Sequence, residues 1–441
     1  MAGKKQKNKK KKKKKRIQVK SKPHSTGRQY SPPEGFHLMA KPIGPVCNLR
    51  CKYCFYTEKE SLFPDEENYR MSDEVLEAYI RKYIETQKIQ EVPFVWQGGE
   101  PTLMGLDFFK KVVSLQNKYK QGKRITNSLQ TNGTLLNDEW CKFLAQYRFL
   151  VGLSLDGPED IHNRYRVDRG GKPTFQSVMD GLKLMQNRRV DFNVLACVTR
   201  ESSKRPLDVY RFLKEQGVKY IQFIPIVERK PDSIAGKLGL RLGLPPSLKK
   251  EEADKSVMPW TVQPEAYGDF LNQIFDEWVK KDVGNIFVMN FEWAIANWAG
   301  VQSTACSFSR RCGRSVIVEH NGDIYSCDHF VYPEYRLGNI MEDSPRHLID
   351  SMKQIGFGAM KETTLPDYCR NCEFLIACRG ECPKHRFMTT PAGKPGLNYL
   401  CPGFRKFFGH IAPYAMYIIR LLQNGLPATA IMKAIDSGKI K

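Results

Sequence analysis

The sequence predicts an α/β fold, an open partial (β/α)6 barrel followed by a cysteine-rich region. Two observations predict it. Six short apolar runs alternate with longer amphipathic stretches between residues 37 and 226, and most of the thirteen cysteines fall after residue 305. Strands separated by crossover helices pair in parallel with right-handed connections. Six of them suit an open barrel better than a closed eight-stranded one. In either arrangement the chemistry collects at the C-terminal ends of the strands.

Each element follows in order. Residues 1–35 read as a disordered tail and linker: positions 1–22 hold thirteen Lys/Arg and no acid, ending near the turn-like Ser31-Pro32-Pro33. So dense a run of cations repels itself and cannot pack. It accounts for more than half of the net charge of +23, so the rest of the chain carries no obvious basic stripe. The tail suits nucleic acid or another anionic surface through counterion release, or no dedicated partner at all. Strands are predicted at 37–43, 93–97, 125–130, 150–155, 192–198 and 220–226. Helices are predicted at 72–87, 106–120, 138–147, 175–188 and 207–216, with Ser72 and Asn137 as N-caps. Residues 229–261, with scattered Pro and Gly, read as a surface insertion or linker. A helix is expected at 264–281. Asn321-Gly322 between two short apolar runs reads as a type I′ hairpin, and 404–422 as a helix. The division is therefore tail 1–35, barrel 36–262, cysteine-rich domain 263–410 and C-terminal helical tail 411–441.

No apolar run reaches the ~20 residues of a membrane span, and no apolar segment precedes a cleavage site. A cytoplasmic location is expected, where disulfides are rare and so many cysteines point to metals or redox chemistry.

Cys47, Cys51 and Cys54 form C-x3-C-x2-C directly after the first strand. One loop can then wrap three corners of a cube-like [4Fe–4S] cluster and leave its fourth iron open. A structural zinc site would need a fourth ligand close by, and the next cysteine is Cys141. Gln97-Gly98-Gly99-Glu100-Pro101 ends the second strand, where a glycine pair allows close backbone approach and a carboxylate suits an ammonium. Further on, Cys306, Cys312 and Cys327 precede Cys369, Cys372, Cys378, Cys382 and Cys401. Eight thiols suffice for two fully ligated clusters, or equally for a pair of four-cysteine zinc ribbons. Cys141 and Cys197 lie outside the pattern and read as core thiols.

The loop Cys47-Asn48-Leu49-Arg50-Cys51-Lys52-Tyr53-Cys54 resembles the signature of radical S-adenosylmethionine (SAM) enzymes. The later cysteines resemble the SPASM extension, and the whole most resembles the anaerobic sulfatase-maturating enzymes. The resemblance implies SAM on the open iron, with Tyr53, Gly98, Glu100, Ser154, Arg166 and Val227 around it. Read from the residues alone, Ser154 is a strand-end hydroxyl, Arg166 a surface charge and Val227 a plain strand residue. The resemblance also implies three [4Fe–4S] clusters, the inner auxiliary one on Cys306, Cys312, Cys327 and Cys382. The outer would use Cys369, Cys372, Cys378 and Cys401. It makes Asp328 the general base, where the residues alone allow a structural acid.

The implied reaction is oxidation of a sulfatase Cys or Ser, within Cys/Ser-x-Pro-x-Arg, to Cα-formylglycine, with electrons from a flavodoxin or ferredoxin. The alternatives are another SPASM peptide maturase, forming a thioether or carbon–carbon crosslink, and a zinc-stapled RNA-binding protein.

Overall fold

The computed structural model describes residues 34–64, 66, 68–246 and 256–440. The lysine-rich tail and the charged stretch 249–255 lie outside them. Six parallel strands form where the apolar runs predict: β1 His37–Lys41, β2 Glu91–Trp96, β3 Arg124–Thr131, β4 Leu150–Ser154, β5 Phe192–Val198 and β6 Tyr220–Pro225. Crossover helices include Asp73–Thr86 and Asp138–Gln146. Ser72 accepts from the Val75 amide, and Asn137 from the Trp140 amide at 2.9 Å, so both predicted caps satisfy otherwise orphaned N–H groups. Between the first helix and β2, Tyr79, Tyr83, Phe94 and Trp96 pack edge to face in the core.

The sheet does not stop at these six. The short β7 (Phe287–Val288) pairs with β6, and β8 (Ser315–Glu319) pairs in parallel with β1. Antiparallel β9 (Asp323–Tyr325) and β10 (Arg336–Asn339) follow β8, so the order is β10-β9-β8-β1-β2-β3-β4-β5-β6-β7. The sheet thus runs across the division drawn at residue 262. This pairing sets Lys41 opposite Glu319 and carries the chain after β9 back over the end of β1.

Three local readings are corrected or completed. The hairpin turn is not type I′, because Gly322 (φ +88°) has positive φ but Asn321 does not. The Gly322 amide bonds the Glu319 carbonyl at 2.9 Å, closing a four-residue turn that ends in a left-handed glycine. Residues 229–261 are not a loose insertion where they are described. Val262 N bonds Ile226 O at 3.0 Å and Met258 N bonds Glu228 O at 2.8 Å, while Leu240 and Leu242 are buried. The C-terminal helix Cys401–Gln423 packs on the helix Pro264–Lys281. A Cβ on Gly403 would lie 1.9 Å from the Pro264 carbonyl, and one on Gly268 2.5 Å from the Gly403 carbonyl. Only glycine permits that approach. Among the described residues no helix is long and apolar enough to cross a membrane.

Candidate active site

The loop that leaves β1 is shaped by its neighbours. Gly44 turns it with φ +53°. The Gly99 and Glu100 amides hold the Gly44 and Val46 carbonyls at 2.8 and 2.9 Å. A Cβ on Gly99 would stand 1.8 Å from Val46 O. On its other side the loop bonds residues 165–167, Arg50 N to Val167 O at 2.8 Å and Lys52 N to Tyr165 O at 3.0 Å. Cys47, Cys51 and Cys54 face one another within it. Burial comes first among the causes that push Cys47 and Cys51 up to about 12; Glu100 and Cys54 add to it at Cys47, and Cys54 and Cys47 add to it at Cys51. The Leu49 amide points at the Cys47 sulfur at 3.3 Å. Three facing thiols with an N–H donor form a fitting cradle for a cluster, since binding a metal releases the thiol protons.

Two buried carboxylates organise the floor. Asp156 accepts the Tyr53 hydroxyl at 2.5 Å and the Cys197 amide at 2.9 Å, and its carboxylate forms an ion pair with Arg166, Nε at 3.0 Å. Arg166 lies 5.5 Å over the Tyr53 ring, is 7% exposed and is no surface charge. The carboxylate of Glu100, expected to meet a ligand's ammonium, is buried and takes four hydrogen bonds. It accepts the Thr102 amide and hydroxyl at 3.1 and 2.6 Å, the Thr131 hydroxyl at 2.7 Å and the Asn132 amide at 2.8 Å. Three of these bonds fall on Oε1 and one on Oε2, and together they tie the glycine loop of β2 to the loop after β3. Gly98 takes φ +141° against the Gly44 carbonyl, the Ser154 hydroxyl accepts from Gln130 at 3.0 Å, and Val227 is buried just past β6. Cys141 is fully buried, and Cys197 receives the Arg166 guanidinium at 3.5 Å.

Asp328 stands over the end of β1. Its Oδ1 pairs with Lys41 Nζ, and Lys41 is 1% exposed. Burial raises the Asp328 carboxyl, but Lys41, with His329 and Lys384 behind it, brings the net below the ordinary carboxylate range. Lys41 Nζ also lies 4.0 Å over the Tyr56 ring, and Tyr56 donates to Glu319 at 2.6 Å. Beside this group Lys384 pairs with Glu228 at 2.5 Å and lies 4.6 Å over Phe55. Sequence reasoning missed Lys41, Tyr56, Glu228 and Lys384. Only Lys41 left a signal, a lysine inside an otherwise apolar strand run.

The remaining cysteines gather in two sets. Burial, then Cys306, Cys382 and Cys312, push Cys327 well up. Burial, then Cys369 and Cys372, push Cys401 to about 12, and Cys378 faces Cys401 and Cys369. Cys369, Cys372, Cys378 and Cys401 line one cavity with Phe374, Phe404 and Phe408. Among the described residues no three His, Cys, Asp or Glu side chains are drawn together tightly enough for a single metal ion. A cube-like cluster spreads its thiolates over four corners and asks for a wider frame.

The model of the radical SAM superfamily matches residues 42–222, and that of the SPASM iron–sulfur cluster-binding domain matches residues 306–373. Fold and site therefore define a radical SAM enzyme with an iron–sulfur cluster-binding SPASM domain. The serine-type anaerobic sulfatase-maturating enzyme of Bacteroides thetaiotaomicron is 45% identical over 405 residues, covering 92% of this chain and 96% of its own. The cysteine-type enzyme of Clostridium perfringens is 33% identical over 387 residues, 85% and 96% of the two chains. The chain belongs to the anaerobic sulfatase-maturating enzymes. The solved structure of native anSMEcpe with bound AdoMet and Cp18Cys peptide superposes with a TM-score of 0.75 at 30% identity, covering 88% of this chain and 99% of that one. Streptococcus suis SuiB bound to its precursor peptide SuiA reaches 0.55 at 15% identity over 83% and 76%, a likeness of fold alone.

Proposed function

We propose that this protein oxidises a serine or cysteine of a sulfatase, in a Cys/Ser-x-Pro-x-Arg segment, to Cα-formylglycine. The observation that carries the reading is the Lys41–Asp328 pair at the barrel mouth, beside the three-cysteine loop. Cys47, Cys51 and Cys54 would hold the cluster with the open iron, and Tyr53, Gly98, Ser154, Arg166 and Val227 the walls of the SAM site. Glu100, whose Oε2 takes one bond from the Asn132 amide, would with Gly98 receive the amino group of SAM. Cys306, Cys312, Cys327 and Cys382 would hold one auxiliary [4Fe–4S] cluster and Cys369, Cys372, Cys378 and Cys401 the other. SAM held there and reduced through that cluster would supply the radical chemistry that removes a hydrogen atom from a substrate Cβ.

The chain's own residues handle the proton. Lys41 holds Oδ1 of Asp328 and keeps the carboxylate ionised, which leaves Oδ2 for the hydroxyl or thiol proton of the substrate. That proton becomes far more acidic once hydrogen has left the neighbouring carbon, so a carboxylate of low basicity suffices. Lys41 cannot swing away, because Tyr56 and the strand pairing with β8 enclose it. Clusters held by the two auxiliary sets would supply a route for the second electron, and four thiolates on each would leave no iron open to substrate. A flavodoxin or ferredoxin is the proposed electron donor.

The test is mass spectrometry of a serine-containing sulfatase peptide after incubation with anaerobically reconstituted protein, SAM and reductant. Loss of two hydrogens from the peptide with formation of 5′-deoxyadenosine is expected. Unchanged serine and cysteine peptides alongside cleaved SAM would overturn the reading.

A further inference from the structure

Among the described residues, two buried cations lie beside the later cysteines and share no ion pair with a carboxylate. Lys361, on the helix Met352–Thr363, is fully buried. Its Nζ donates to the Cys306 and Ser307 carbonyls at 2.6 and 2.7 Å. Arg386, 6% exposed, follows the turn Pro383–His385 that opens after Cys382. Its Nε donates to the Gly380 carbonyl at 2.8 Å and its Nη1 to the Lys361 carbonyl at 2.6 Å. Its Nη2 donates to the Arg379 and Glu381 carbonyls at 3.1 and 3.2 Å. Every one of these acceptors is a neutral main-chain oxygen. The Glu381 carboxylate is taken by His385 at 2.8 Å and Asn398 at 2.7 Å. Bonds to carbonyls satisfy the donors but leave two full charges uncompensated, which is costly away from water.

The groups that face these charges are thiols of both sets. Burial pushes the Cys312 thiol up, and Lys361 and then Arg386 draw it back. Burial also raises Cys306 and Cys369, with Lys361 acting against it at the first and Arg386 at the second. Burial draws the Arg386 guanidinium down, while Cys378 of the outer set and Cys312 and Cys382 of the inner set act against that fall. Arg386 thus stands between the two sets and Lys361 beside the inner one. A [4Fe–4S] core on four thiolates is anionic, and each electron it takes up adds one negative charge. A buried cation nearby favours that reduced state and raises the potential.

We propose that Lys361 and Arg386 are the counter-cations of the auxiliary clusters and raise their reduction potentials, Lys361 at the inner cluster and Arg386 between the two. The inference rests on the proposal that these two cysteine sets hold clusters. The test is an EPR-monitored redox titration of the full-length, anaerobically reconstituted protein, with Mössbauer spectra and iron analysis to establish loading. Lys361→Gln supplies an amide donor to the two carbonyls and removes the charge. At a fixed applied potential its inner cluster should show a reduced-to-oxidised ratio about tenfold lower, a downward shift of about 59 mV for a one-electron couple. Lys361→Arg, which keeps the charge, should stay within twofold of the wild type. A loaded K361Q within twofold of the wild type, or K361R lowered as far as K361Q, overturns the inference and leaves the function standing. Where K361Q does not load, a K361R that loads supports the counter-cation, and failure of both overturns it. Arg386→Gln should lower both auxiliary couples and Arg386→Lys neither; any other pattern removes Arg386 from the role. Wild-type protein holding only about four irons overturns the cluster assignment and the inference together.

Discussion

Lys41 and Asp328 stand 287 positions apart in the chain and share one ion pair. Each accounts for the other: a lysine 1% exposed needs a carboxylate, and a carboxylate beside the buried Cys327 needs a cation to stay ionised. Asp328→Asn keeps size and position but removes the acceptor for a proton. Product formation should fall by about 10²–10⁴-fold at unchanged iron content, measured by peptide mass spectrometry and iron analysis. His162 supplies a second residue-scale expectation. Fully buried between the Asp156 amide and Thr174, it is held by burial at a pKa of about 4. Below pH 6.5 the unfolded chain takes up a proton that the folded chain refuses, so stability falls as pH drops toward 4, by up to about 3 kcal/mol. His162→Asn should flatten that acid limb in melting curves of wild type and variant across the window. At this scale residue type and spacing single out the cysteines, whereas Asp328 is singled out by the family resemblance alone. The Lys41 pairing and the bonds that Glu100 accepts have no local mark, since both depend on partners brought in by folding.

At the level of elements, the close packing of the helices Pro264–Lys281 and Cys401–Gln423 holds one wall of the outer cysteine set. Gly268→Ala places a methyl 2.5 Å from the Gly403 carbonyl. Overpacking of this kind costs about 1–3 kcal/mol, so the variant should melt several degrees lower. It should also lose iron from the outer set before the barrel set. Calorimetry with iron analysis along the melt reads both, and an unshifted melting temperature would show that the two helices yield there. Strands and crossover helices were legible to within a few residues because periodicity and caps are local. The hairpin turn was misread because Asn-Gly permits type I′ without requiring it, and here Glu319 closes a longer turn. Residues 229–261 looked loose because their anchors, the Ile226 and Glu228 carbonyls, are main-chain groups with no side-chain signature.

Over the whole molecule, one sheet joins the chemistry of the two halves. β8 lies against β1, so the segment that carries Cys327 and Asp328 reaches the mouth of the barrel holding Cys47, Cys51 and Cys54. This could not be read from the sequence, since nothing local in β8 names β1 as its neighbour. Three cysteine sets imply about twelve irons per chain after anaerobic reconstitution, by iron and sulfide analysis; about four would leave only the barrel cluster. In the proposed reaction the SAM site and Asp328 act together at one substrate residue, SAM at its Cβ and Asp328 on its hydroxyl or thiol proton. Its most direct measurement uses a sulfatase peptide whose target serine carries deuterium at Cβ, with 5′-deoxyadenosine and peptide analysed together by mass spectrometry. The account predicts one deuterium in 5′-deoxyadenosine for each formylglycine formed. Formylglycine appearing with deuterium-free 5′-deoxyadenosine would contradict it.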